Sequence, residues 1–241
     1  MRCPCGGAKG LSVSTRLGRR VVLGLLGVAV LIDAAARMPA GKYLEAPGSP
    51  VAVILAHGQG LDADSQVVSP LRQGIHRALG VHTLSLQMPV LPGRISQELF
   101  LAYAGTFPDA YARLQAAIDF LRQDKGVQRI YLLGYSMGAR MTTAFLATHP
   151  DAGVAGFIGV GITAGGPDPL NANRSLLRVH LPILDIYAED DMDARFAAAR
   201  RQIIGARIEQ VPIPGARHDY RGHEDEVLRA VLDWLRRREA R

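Results

Sequence analysis

Apolar, β-branched runs alternate along this chain with stretches of helical periodicity, and that alternation restricts the fold more than any other feature. "VAVILAH" (51–57) has no polar interruption before its histidine, the pattern of a strand buried on both faces. "VHTLSLQM" (81–88), "VQRIYLLG" (127–134), "VAGFIGVGI" (154–162), "LPILDIYAE" (181–189) and "ARIEQVPIP" (206–214) read as further strands. Helices are expected between and after them, over 65–79, 108–123, 137–149, 191–203 and 223–239. The clearest is 108–123, which Pro108 and Asp109 open and where Tyr111, Leu114, Ile118 and Leu121 make one stripe. Strands alternating with helices predict a mostly parallel sheet covered by helices on both faces, with right-handed crossovers. At 241 residues, 48% of them hydrophobic, the chain suits one α/β domain with a sizeable core.

The net charge of +6 does not point to nucleic acid. Arg2, Lys9, Arg16, Arg19, Arg20 and Arg37, against Asp33, put most of it in the first forty residues, and the remainder is close to neutral. Arg236, Arg237 and Arg238 end the last expected helix, where they suit its dipole. The only cysteines are Cys3 and Cys5, so the body of the chain offers neither disulfide nor thiol nucleophile. No metal site or cofactor is expected.

Residues 1–40 read as a signal peptide or an N-terminal membrane anchor. Basic Arg16, Arg19 and Arg20 precede an apolar run from Val21 to Ile32, and Ala34, Ala35 and Ala36 follow. That run rises only about 18 Å as a helix, against a hydrocarbon core of about 30 Å, which favours a signal over a span. The expectation is an exported, periplasmic or envelope protein, touching a membrane only through this segment if it is retained. Pro- and Gly-rich residues 41–50 read as a linker, leaving 51–241 as the folded domain.

In an open α/β sheet, ligands bind beyond the carboxyl ends of the strands. Four stretches fall there. "GYSMG" (134–138) lies between a strand and a helix, the setting of a nucleophile elbow at Ser136, with Gly134 and Gly138 allowing close backbone approach. "LAHGQGLDADS" (55–65) supplies a pliable loop whose Gln59 N–H is expected to pair with the Met137 N–H as oxyanion donors. His57 is expected to shape that loop and not to act as a base. "YAEDDMD" (187–193) supplies the carboxylate that a triad needs; Asp191 is the expected acid, with Asp190 next, while Asp193 and Glu189 stand beside them. "PGARHDYRGHEDE" (214–226) carries His218 in a polar loop, the expected base, with His223 nearer a helix start. The order Ser136, Asp191, His218 leaves room for the right number of elements between each pair.

On "LAHGQG", "GYSMG", "ILDIYAEDD" and "PGARHDY" the chain resembles the α/β-hydrolase superfamily over roughly 50–239. The segments 69–93 and 103–121 are similar to an uncharacterised exported bacterial branch, and more distantly to dienelactone-hydrolase-type enzymes. The resemblance implies a single-domain hydrolase fold without a large lid, Ser136 as nucleophile, Asp191 as acid, His218 as base, and Gln59 and Met137 as oxyanion donors. Ala188 stands where the acid motif usually has Gly, which keeps Asp190 and Asp191 both open. The implied activity is hydrolysis of carboxylic esters or thioesters of a small acyl substrate through an acyl-enzyme. An acyltransferase or peptidase on the same residues is the first alternative, and an idle envelope binding protein the second.

Overall fold

Strand periodicity of two decides which side chains face which helix layer. A computed structural model describes residues 38–240 and contains one seven-stranded sheet. Its strands are β1 (Gly41–Leu44), β2 (Val51–Ala56), β3 (His82–Leu86), β4 (Arg129–Tyr135), β5 (Gly156–Val160), β6 (Ile183–Ala188) and β7 (Ile208–Ile213). The order across the sheet is β1-β3-β2-β4-β5-β6-β7. Every neighbouring pair is parallel except β1 with β3. Along β2, Ala52, Ile54 and Ala56 enter one apolar cluster, and Val51, Val53 and Leu55 enter the other. β4 repeats this with Ile130 and Leu132 against Tyr131, Leu133 and Tyr135. A strand loaded on both faces is the reading that the uninterrupted apolar runs allowed.

The helices are α1 (Val68–Leu79), α2 (Gln97–Ala102), α3 (Phe107–Gln123), α4 (Met137–Thr148), α5 (Ala172–Leu176), α6 (Asp193–Ile204) and α7 (Glu224–Glu239). On one face, Leu114, Ile118 and Leu121 of α3 pack with Phe145 of α4. On the other, Leu71 and Ile75 of α1 pack with Val227, Val231, Trp234 and Leu235 of α7. Burial of each such side chain is worth about 1.5–3 kcal/mol relative to exposure. The connection from β5 to β6 carries only the five-residue α5 as helix, so no lid domain stands between them.

Residues 41–44, expected within a linker, instead form β1. Gly41 pairs with Leu86 and Leu44 with Thr83, antiparallel. Tyr43 packs edge-on against Phe120 and donates from its hydroxyl to His82 Nδ1 at 2.6 Å. The strand is short and flanked by glycine and proline, so its pattern is weak; its partners are far away in the sequence. At the opposite edge, β7 carries the exposed Pro212. The expected signal segment lies almost wholly outside the described residues, which begin at 38. Among the described residues, no helix is long and apolar enough to cross a membrane.

Candidate functional site

β4 lies mid-sheet and hands directly into α4 at Ser136. The turn is tight because a single residue, Ser136, separates the end of the strand from the start of the helix. Ser136 takes φ 52° and ψ −115°, a left-handed backbone that a side chain adopts only at a cost. The two flanking glycines are sterically required. A Cβ on Gly134 would stand 2.5 Å from Ala139 Cα, and one on Gly138 would stand 2.3 Å from the Ala56 carbonyl oxygen. The structure thus folds "GYSMG" as a strand–turn–helix elbow.

Ser136 Oγ lies 2.9 Å from His218 Nε2. On the other side of the ring, His218 Nδ1 lies 2.6 Å from Asp193 Oδ2. A carboxylate can only accept, so Nδ1 carries the hydrogen and Nε2 accepts from the serine hydroxyl. The Asp193 side chain is fully buried, whereas that of His218 is about one-third exposed. Burial by itself lowers the His218 pKa, but the hydrogen bond and charge of Asp193, with Asp191 and Asp219 nearby, raise it above its ordinary value. Gly161 makes the meeting feasible. Its φ is +58°, and a Cβ there would sit 3.1 Å from His218 Cε1 and 3.3 Å from Asp193 Oδ2.

The carboxylate facing the imidazole is therefore not that of Asp191, the expected acid. Asp191 Oδ2 instead accepts from the backbone N–H of His218 at 2.9 Å, and Oδ1 from the Met192 N–H at 2.5 Å. Asp190 is exposed, and its backbone N–H donates to Ala216 O. The cause is where α6 starts. Asp191 precedes the helix, while Asp193 is its first residue and turns inward. Asp193, Ala197, Arg200 and Ile204 are the buried residues of α6, spaced four, three and four apart. An acid standing on the inward stripe of a helix was the signal that could have singled out Asp193 in "EDDMD".

His57 is buried and ties two loops together. Its Nε2 accepts the Met88 N–H at 2.9 Å, so Nδ1 is the protonated nitrogen and donates to Gly58 O at 2.8 Å. Burial lowers its pKa, which suits a neutral ring. It neither faces Ser136 nor has a carboxylate partner. Gly58 lies against the elbow, with a Cβ there only 3.3 Å from Ser136 Cβ. Gln59, Ser136 and Met137 line one cleft of about 190 Å³ together with Phe100, Arg140 and Thr163. Two larger clefts, about 320 Å³ each, lie elsewhere and contain neither Ser136 nor His218. Phe100 of α2 reaches this cleft. His223 precedes α7 with no capping bond from its side chain.

Behind the site, Asp185 of β6 and Arg200 of α6 form a fully buried ion pair. Arg200 Nε and Nη2 donate to the two Asp185 oxygens at 2.9 Å each, and Nη1 donates to Ile162 O. The pair pins the helix that starts at Asp193. Among the described residues, no group of three or more His, Cys, Asp or Glu is placed to hold a metal ion.

The fold has counterparts among known proteins. A family model described as a protein of unknown function (DUF3530) matches residues 108–213. No curated protein matches the sequence. Among solved structures, dienelactone hydrolase from Anabaena variabilis is 22% identical, with a TM-score of 0.63, covering 81% of this chain and 89% of that one. An α/β serine hydrolase homologue from Coxiella burnetii is 20% identical with a TM-score of 0.63, covering 80% and 90%. A protein from Xanthomonas campestris, described as an α/β serine hydrolase without lid, is 17% identical with a TM-score of 0.61, covering 83% and 86%. With helices on both faces of a mostly parallel seven-stranded sheet and these neighbours, the chain has the α/β-hydrolase fold.

Proposed function

We propose that the protein is a serine hydrolase of carboxylic esters or thioesters that works through an acyl-enzyme. The observation that carries this reading is the double engagement of His218, whose Nε2 is 2.9 Å from Ser136 Oγ and whose Nδ1 is 2.6 Å from Asp193 Oδ2. His218 takes the Ser136 proton as Oγ attacks the substrate carbonyl, then gives it to the leaving group. Asp193 holds the tautomer and stabilises the imidazolium. The backbone N–H groups of Gln59 and Met137 receive the oxyanion, and removing one such donor costs about 10²–10³ in rate in comparable sites. Water activated by His218 then releases the acid. Asp191 has a different part in this scheme: it anchors the loop that presents His218.

The test is labelling of the full chain with a fluorophosphonate probe beside a Ser136→Ala variant of matched thermal stability. Labelling of the parent alone supports an activated serine. A folded parent that resists the probe would return the protein to the binding reading. The charge and apolar pattern of residues 1–40 support placing the activity outside the cytoplasm, which fractionation of expressing cells tests.

A further inference from the structure

Arg140 lies on α4 four residues beyond Ser136, one helical turn along, and lines the same cleft. It is only 5% exposed. Its Nε donates to Thr163 Oγ1 at 2.8 Å, Nη1 to the carbonyls of Gly165 and Leu170, and Nη2 to that of Ala164 at 3.1 Å. Phe100 covers the guanidinium, with Cζ 4.9 Å from the ring centroid. Every partner is neutral. A buried guanidinium is ordinarily paired with an acid, because desolvating an unpaired charge is costly. Burial draws the Arg140 pKa down to about 10, which leaves it a cation at neutral pH. The acid whose charge reaches it, Asp193, is already committed to His218.

A second group in the cleft also lacks a partner. Gln59 Nε2 is buried without a hydrogen-bond acceptor among the described residues. Of the five N–H groups of Arg140, four are used, so one on Nη2 remains. No carboxylate lines the cleft, and Phe100, Met137, Met192 and Phe196 supply its apolar walls. At about 190 Å³ it is smaller than the roughly 300–1,000 Å³ of drug-sized sites.

We propose that this cleft receives a short acyl chain ending in a carboxylate, with Arg140 supplying the opposing charge and the Gln59 side-chain amide turning from its buried position to donate from Nε2. This specificity rests on the serine-hydrolase reading above. A neutral acyl chain of the same length leaves both the amide donor and the buried cation unanswered. A cationic one opposes Arg140 directly.

The experiment compares kcat/KM for monomethyl glutarate and methyl hexanoate, with carboxymethyl butyrate as the ester that carries its carboxylate on the alcohol side, each followed by the acid released at constant pH. The parent is expected to favour monomethyl glutarate over methyl hexanoate by about tenfold or more, the scale of a charge-assisted hydrogen bond. Gln59→Glu is expected to invert that ratio and Arg140→Met to bring it near one. Because Arg140 also braces the 163–170 loop, Gln59→Glu decides the matter if Arg140→Met does not fold. A ratio of one in the parent, or one unmoved by Gln59→Glu, overturns the proposal while leaving ester hydrolysis intact. A preference confined to carboxymethyl butyrate overturns the acyl-side placement. If no ester is cleaved and Ser136 is not labelled, the hydrolase reading falls and this proposal with it.

Discussion

Asp193 and His218 meet at 2.6 Å across 25 residues, one at the first turn of a helix and the other in the loop after β7. The contact separates the work of two acids that the sequence places two residues apart. Asp193→Asn should cut kcat by about 10³–10⁴, since a misplaced tautomer disables the base. Asp191→Asn removes a backbone anchor and leaves the ring its partner, so the loss should be nearer tenfold. Steady-state kinetics on any ester the parent cleaves checks the order, and equal losses would refute the assignment.

The pH profile follows from the same pair. The base must be neutral, and the His218 pKa is raised above 6.5. A raised pKa keeps the proton on to higher pH. The acid limb of kcat/KM should therefore have its midpoint above 6.5, with activity increasing as pH rises through it. Asp191→Asn removes one anion that favours the imidazolium, so the limb should move to lower pH. A midpoint below 6.5 in the parent contradicts the geometry.

His57 supports the Gly58–Gln59 backbone without touching the serine. His57→Ala frees the Met88 N–H and Gly58 O, and the loop loses its register. The expected result is a fall in kcat of about tenfold or more, with fluorophosphonate labelling slowed but retained. His218→Ala should instead abolish labelling.

The buried Asp185–Arg200 pair should matter to stability more through its breaking than its making. Asp185→Asn or Arg200→Met alone strands a charge and should cost about 3–5 kcal/mol. The double variant Asp185→Leu with Arg200→Met should recover part of that loss. Chemical denaturation of the four proteins measures it.

Gly161→Ala should damage the site without emptying it. The added Cβ meets the His218 ring at 3.1 Å in a backbone that disfavours side chains. Activity is expected to drop at least tenfold, with a loss of about 1 kcal/mol or more in stability.

Most of the sheet was legible because its strands are buried on both faces and need unbroken apolar runs. Ser136 was legible because an elbow demands Gly134 and Gly138. β1 was not, since "GKYL" gains its stability from Leu86 and Thr83, which local pattern does not register. Asp193 was missed because the choice among four neighbouring acids depends on the rotational phase of α6. A two-residue difference in the helix start exchanges an inward carboxylate for one that grips the backbone. Arg140 carries no such local signal, because its neutral partners come from the folded loop 163–170.

The two outer strands have a consequence for how copies of this chain meet. β7 presents Pro212, which has no N–H to offer, and β1 is four residues long with an outward lysine at 42. Both rims of the sheet are thus poor templates for another strand. Growth of the sheet from one molecule into the next, the usual first step toward insoluble fibrils, is blocked at each end by composition. Copies of the domain can then be crowded together without one extending the apolar sheet of the next.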